Sequence, residues 1–131
     1  MGGSSISAMN SNLPSGTVTF LFTDIEGSTR LWQEKPEAMA LSHARHDEIL
    51  RAAIEANHGY IFQIVGDSFS AAFHNAGDGL RAVLSAQRVL QAEAWGETGA
   101  LRVRMGMHTG TAELLTDGSG KYDGYATIAS T

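Results

Sequence analysis

The chain has 131 residues, 43% of them hydrophobic and 18% charged, with no cysteine and a formal net charge of -5 at pH 7. That length and apolar content suit one domain with a packed core and exclude a disordered chain. The acidic balance argues against general affinity for nucleic acid or anionic membrane, and the lack of cysteine excludes disulfides, thiolate catalysis and thiolate zinc sites within the chain.

No stretch reaches the length of a membrane span, and the opening Gly/Ser/Asn-rich segment lacks the basic and apolar regions of a signal peptide. Residues 1–16 are expected to be a flexible arm or tag remnant, ahead of a domain over 17–131. The expected setting is cytoplasmic, with no direct membrane insertion.

Residues 17–25 place Val18, Phe20 and Phe22 on one alternating face and Leu21 and Ile25 on the other, which predicts a strand ending at Asp24 and Ile25. Gly27, Ser28 and Thr29 supply a turn and hydroxyl caps for a short helix to Glu34, and Pro36 restarts a longer one over about 37–56. The apolar stripe of that second helix is read as Leu41, Ile49, Ala53 and Ala56, widened by Leu50 and Ile54. Asn57-His58-Gly59 stops it.

Residues 60–66 and 68–73 then read as a hairpin with Asp67 at its tip. Asn75 or Asp78 caps a further helix with an apolar face of Leu80, Val83, Leu84, Gln87, Leu90 and Ala94. Residues 101–109 alternate again as a strand, and the Gly-rich tail from Leu114 reads as a loop entering an element that barely starts. The order is that of an α+β, ferredoxin-like βαββαβ core with helices over one face of the sheet.

In that topology the end of the first strand and the tip of the hairpin can be neighbours. Asp24 and Asp67, with the carbonyl of Ile25, then form an oxygen donor set suited to Mg2+ or Mn2+, which link proteins to nucleotide phosphates. For either aspartate alone, an ordinary turn residue is the simpler reading. Gly27, Ser28 and Thr29 sit where backbone N–H groups at a helix start can face phosphate, although no P-loop pattern is present. Glu26 is read as a charge at the helix N-terminus, His43 and His46 as surface contacts, and Trp32 and Trp95 as packing anchors. No nucleic-acid motif occurs.

Three motifs, Phe20-Leu-Phe-Thr-Asp24-Ile-Glu-Gly-Ser-Thr29, Val65-Gly-Asp67-Ser-Phe69 with Ala71-Ala72-Phe73, and Arg102-Val-Arg-Met-Gly-Met-His-Thr-Gly110, stand in this order. Together they resemble the class III adenylyl and guanylyl cyclase catalytic domain, in the form found in bacterial and mycobacterial members. The resemblance implies that Asp24, Asp67 and the Ile25 carbonyl hold two Mg2+ or Mn2+ ions. It implies cyclisation of ATP or GTP by attack of the 3′ hydroxyl on the α-phosphorus, at the interface of a homodimer or of paired cyclase domains.

Gln63 stands where adenylyl cyclases of the family carry a purine-recognising Lys and guanylyl cyclases a Glu, so a base contact to either purine is open to it. Lys121 falls near the second purine-specifying position. Ile128 falls where the family's ribose-orienting Asn is expected, and the transition-state Arg would fall just past Thr131. The expectation is therefore the amino-terminal two-thirds of such a domain, assigned to ATP. A regulatory or dimerisation module of the same fold and a guanylyl cyclase are the alternatives. An ATP and GTP turnover assay with Mn2+ or Mg2+ is expected to give little or no cyclic product from this chain alone; robust product lost in Asp24→Asn or Asp67→Asn would contradict that.

Overall fold

The computed structural model describes residues 13–116 and 122–127. Strand β1 (Gly16–Ile25) is followed by helices α1 (Ser28–Glu34) and α2 (Pro36–Ala56), the hairpin β2 (Tyr60–Val65) and β3 (Ser68–Phe73), helix α3 (Ala76–Ala92), a short 3-10 turn (Gly96–Thr98), and strands β4 (Val103–Thr116) and β5 (Tyr122–Thr127). The five strands form one sheet in the order β2-β3-β1-β4-β5, antiparallel throughout. The first four strands have the expected ferredoxin-like order. The tail departs from expectation: β4 runs on to Thr116 and pairs with β5, because the Gly-rich segment contains a second extended run rather than a loop alone.

β1 is central, bonded to β3 from Thr19↔Phe73 to Thr23↔Phe69 and to β4 from Gly16↔Ala112 to Ile25↔Val103. As the central strand it is hydrogen-bonded along both edges, and it buries residues on both faces, Leu21 and Ile25 on one and Val18 and Phe20 on the other. Leu21 and Ile25 join Phe69, Phe73 and Val103 in a core under the helices. Val18 and Phe20 join Ala72 and Ala112 in a smaller cluster on the face that carries no helix. There the Phe20 ring meets Phe22 at 6.1 Å and Phe62 at 6.0 Å, while Phe22 is 47% and Val65 64% exposed.

The stripe expected on α2 is largely observed, with Ile49, Leu50, Ala53 and Ile54 buried, whereas that expected on α3 is mostly displaced. On α2 the buried residues are Met39, Ser42, His46, Ile49, Leu50, Ala53 and Ile54, and Leu41 is 77% exposed. On α3 they are Asp78, Gly79, Ala82, Ala86 and Leu90, with Leu80 and Leu84 outside. Small residues face the sheet on α3 because the helix lies close to it: a Cβ at Gly79 would stand 3.0 Å from Met107 Cε. Picking the largest apolar side chains therefore misplaced Leu80 and Leu84 on α3.

Capping also differs in part. Asn75 caps α3 by accepting from the Asp78 N–H at 2.8 Å, one of the two expected candidates. At α1 the N-cap is Gly27 in a left-handed conformation, with no side-chain cap, so Ser28 and Thr29 do not fill the capping role expected of their hydroxyls. At the end of α2 the left-handed residue is His58, φ 63°, and the Gly59 N–H closes the helix on the Ile54 carbonyl at 2.9 Å.

Gly59 serves space rather than backbone freedom, since a Cβ there would fall 2.5 Å from Phe73 Cε1 and 2.6 Å from Ile54 Cγ2. Gly59→Ala is expected to destabilise the fold by about 1–3 kcal/mol through overpacking. Urea denaturation checks this, and an unchanged midpoint would contradict it.

Candidate functional site

The site is built where β1 ends beside the β2–β3 turn. Val65 pairs with Ser68, so Gly66 and Asp67 form a two-residue turn, and φ of +59° at Gly66 is the first position of a II′-type hairpin. That tight turn places the Asp67 side chain against β1, where Oδ2 accepts the Ile25 N–H at 2.8 Å. Ile25 is 2% exposed and its side chain is anchored in the core, so the donor is fixed in place. One strand residue earlier, Asp24 lies on the helix-free face. The Asp67 carboxylate is thus bonded to the peptide that joins Asp24 to Ile25.

Arg104 is the cross-strand partner of Asp24 on β4. Its Nε donates to Asp24 Oδ1 at 2.8 Å and its Nη2 to Oδ2 at 2.9 Å, a bidentate pair on an exposed surface. These hydrogen bonds and the Asp24 charge raise the guanidinium pKa, with Glu26 and Asp67 adding to the same field. The pair lines a groove of about 430 Å3 with Ser68, Ser70 and Gly106. A neighbouring hollow of about 460 Å3 is bordered by Glu26, Gly27, Arg30, Lys35 and Arg102.

Gly27, Ser28 and Thr29 come three to five residues after Asp24, at the N-cap and start of α1, where the first backbone N–H groups of a helix lack partners within it. Gln63 is exposed on β2, opposite Ser70, which itself pairs with Phe22, and its amide makes no hydrogen bond among the described residues. Gln63 thus shares the hairpin but stands a strand away from Asp24. Lys121 and Ile128 lie outside the described residues. Among those residues, no group of three or more His, Cys, Asp and Glu is placed to hold a metal ion.

Of the two histidines expected to make surface contacts, His43 does so and His46 does not. His46 is fully buried beneath the turn, with its ring 5.8 Å from Phe69 and 5.9 Å from His43. Its Nδ1 pairs with Asp47 Oδ1 at 2.8 Å, and its Nε2 has no partner among the described residues. His43 is tilted on Trp32 and its Nε2 donates to the Gly66 carbonyl at 3.3 Å, so α2 also holds the turn. The spacing Ser42, His46, Ile49, Ala53 was the available signal for the burial of His46.

The sequence matches the adenylate and guanylate cyclase catalytic domain over residues 11–131. The chain belongs to the class III nucleotidyl cyclase family. This cyclase domain is 42% identical over 104 residues to an uncharacterised protein of Mycobacterium tuberculosis, covering 77% of this chain and 34% of that protein. It is 34% identical over 94 residues to the adenylate cyclase of Schizosaccharomyces pombe, covering 70% of this chain and 6% of that protein. A solved Trypanosoma brucei adenylate cyclase in its monomeric state superposes with a TM-score of 0.78 at 26% identity, covering 90% of this chain and 65% of that chain. The cyclase domain thus spans about a third of the length of its mycobacterial relative. No helix among the described residues is long and apolar enough to cross a membrane.

Burial comes first in setting the His46 pKa, holding it below the ordinary imidazole value of 6.5 against the opposing pull of Asp47. The unfolded chain then binds this proton more readily than the folded one. Stability from His46 is full above the unfolded value and is lost as pH falls from about 6.5 towards the lower folded pKa. Denaturation midpoints between about pH 7 and about pH 5 should fall for the parent and fall less for His46→Gln. Equal slopes would refute this role.

Proposed function

We propose that this cyclase domain binds ATP through divalent cations at Asp24, Asp67 and the Ile25 carbonyl, and supports its conversion to 3′,5′-cyclic AMP and pyrophosphate. The observation that carries the reading is the Asp67–Ile25 hydrogen bond, which brings both carboxylates to one end of the central strand. The donor set fits Mg2+ or Mn2+, which take one or two protein carboxylates and complete their shells with water and substrate phosphate. Arg104, clamped on both oxygens of Asp24, already stands in for a cation there. When bound, two such ions would promote ionisation of the ribose 3′ hydroxyl and take up charge on the triphosphate.

The chain's own residues do the positioning. Asp24 and Asp67 present oxygens beside a backbone that the core holds still. The N–H groups at Gly27, Ser28 and Thr29 offer donors for phosphate at the positive end of α1. Gln63, with a free amide on the helix-free face, offers a donor and an acceptor to the purine edge, and Lys121 is the second residue assigned to the base. In the reaction the 3′ oxygen bonds to the α-phosphorus as the bond to the β-phosphate oxygen breaks. The hydroxyl proton leaves and pyrophosphate departs.

Named adenylate cyclases among the relatives favour ATP. The neutral Gln63 in place of Lys favours GTP as the second reading. The exposed apolar residues of the helix-free face, Phe22 and Val65, support pairing with a second copy or another cyclase domain. A cytoplasmic setting, where nucleoside triphosphates are held, goes with this reading.

Calorimetric titration with ATP and GTP, with and without Mn2+, tests it. Mn2+-dependent nucleotide binding is expected, weakened at least about tenfold in Asp24→Asn and in Asp67→Asn. Binding untouched by both substitutions would sink the assignment of the metal site. Gln63→Lys is expected to shift preference further towards ATP, and Gln63→Glu towards GTP.

A further inference from the structure

We infer that Arg104 is a displaceable counter-ion for Asp24, so that cation entry at this aspartate is an exchange against the guanidinium rather than simple addition to a vacant carboxylate. The inference rests on the reading of Asp24 as a metal ligand. Its own support is the geometry of the pair: Nε and Nη2 of Arg104 engage Oδ1 and Oδ2 of Asp24 at 2.8 and 2.9 Å, so both oxygens of the carboxylate are taken at once.

The register makes the contact intrinsic to the fold. Asp24 and Arg104 are directly opposed across the β1–β4 ladder, and their side chains leave the sheet on the same face. Neither can turn away without leaving the other charge unpaired at the rim of the groove. Asp67 differs, since its Oδ2 is bound to a neutral backbone N–H and no ion pair holds it among the described residues. The two aspartates are therefore unequal: Asp67 is open to a cation, and Asp24 is guarded by one.

The guard is soft. Both partners are substantially exposed, so water and salt screen the pair, and its strength lies in the two-pronged geometry that matches guanidinium to carboxylate. Lys at this position would keep the charge and lose the fork. That separates exchange from the plain repulsion that any nearby positive charge exerts on a metal ion. A guanidinium that only repelled the ion at a distance would act equally as Lys.

The test is Mn2+ binding by the full chain without nucleotide, read as free Mn2+ by electron paramagnetic resonance. Exchange predicts that Arg104→Lys and Arg104→Gln each tighten Mn2+ binding at least about threefold, because both remove the fork. Tighter binding in Arg104→Gln with Arg104→Lys matching the parent would reduce Arg104 to a charge effect and overturn the inference, as would parent-like affinity in both. On the parent protein, a Mg2+ titration should move the Arg104 Nε–H resonance in step with occupancy, and a resonance unmoved at saturation would also overturn it. Asp24→Asn separates the two claims. Loss of Mn2+ affinity in that variant upholds the metal reading whatever Arg104 does, while retained affinity sinks that reading and this inference together.

Discussion

The hydrogen bond from the Ile25 N–H to Asp67 Oδ2 joins two segments remote in sequence, and the site is organised around it. It forms because β1 is the central strand, paired on one edge to the hairpin that carries Asp67 and on the other to β4 that carries Arg104. With Ile25 sealed in the core, its peptide cannot drift. The hairpin turn is held from β1 by this bond and from α2 by the His43 contact to the Gly66 carbonyl. Asp24 is thereby set on the central strand and Asp67 on a tight turn pinned from two sides, the condition for pre-organised ligation.

The sheet divides the labour between its faces. Helices α2 and α3 cover one face and bury Phe69, Phe73, Leu21 and Ile25 beneath them, which supplies most of the apolar burial. The opposite face carries a smaller cluster around Phe20 and leaves Phe22 exposed beside the polar groove of Asp24, Arg104, Ser68 and Ser70. A surface that is partly apolar and partly charged, over a sheet already fixed from behind, suits a site shared with a nucleotide and a second domain.

Much of this was legible in the sequence because its signals are local. The alternation of Val18, Phe20 and Phe22, the Gly66-Asp67 turn and Pro36 at a helix start each point to one conformation, and they agree with the observed elements. The convergence of Asp24 and Asp67 was an inference from topology and the family motifs. What was not legible depends on which helix face meets the sheet. Leu41, Leu80 and Leu84 looked like core and face outwards, whereas Ser42, His46, Gly79 and Ala82 lie inside, because close helix–sheet approach selects for small or fitted side chains over large ones. The Gly-rich tail hid a strand for a related reason: β5 gains its conformation from pairing with β4, not from local preference. The fork of Arg104 on Asp24 required the β1–β4 register, which no local pattern supplies.

The central claim is that Asp24 and Asp67 hold a divalent cation between protein and nucleotide. Its most direct test is a crystal of the protein grown with Mn2+ and a non-cyclisable ATP analogue lacking the 3′ hydroxyl, with diffraction collected at the manganese absorption edge. The account predicts an anomalous peak within bonding distance of oxygens from Asp24, Asp67 and the Ile25 carbonyl, with the analogue's phosphates on its far side. Ordered analogue with manganese bound elsewhere, and Arg104 still clamped on Asp24, would contradict it.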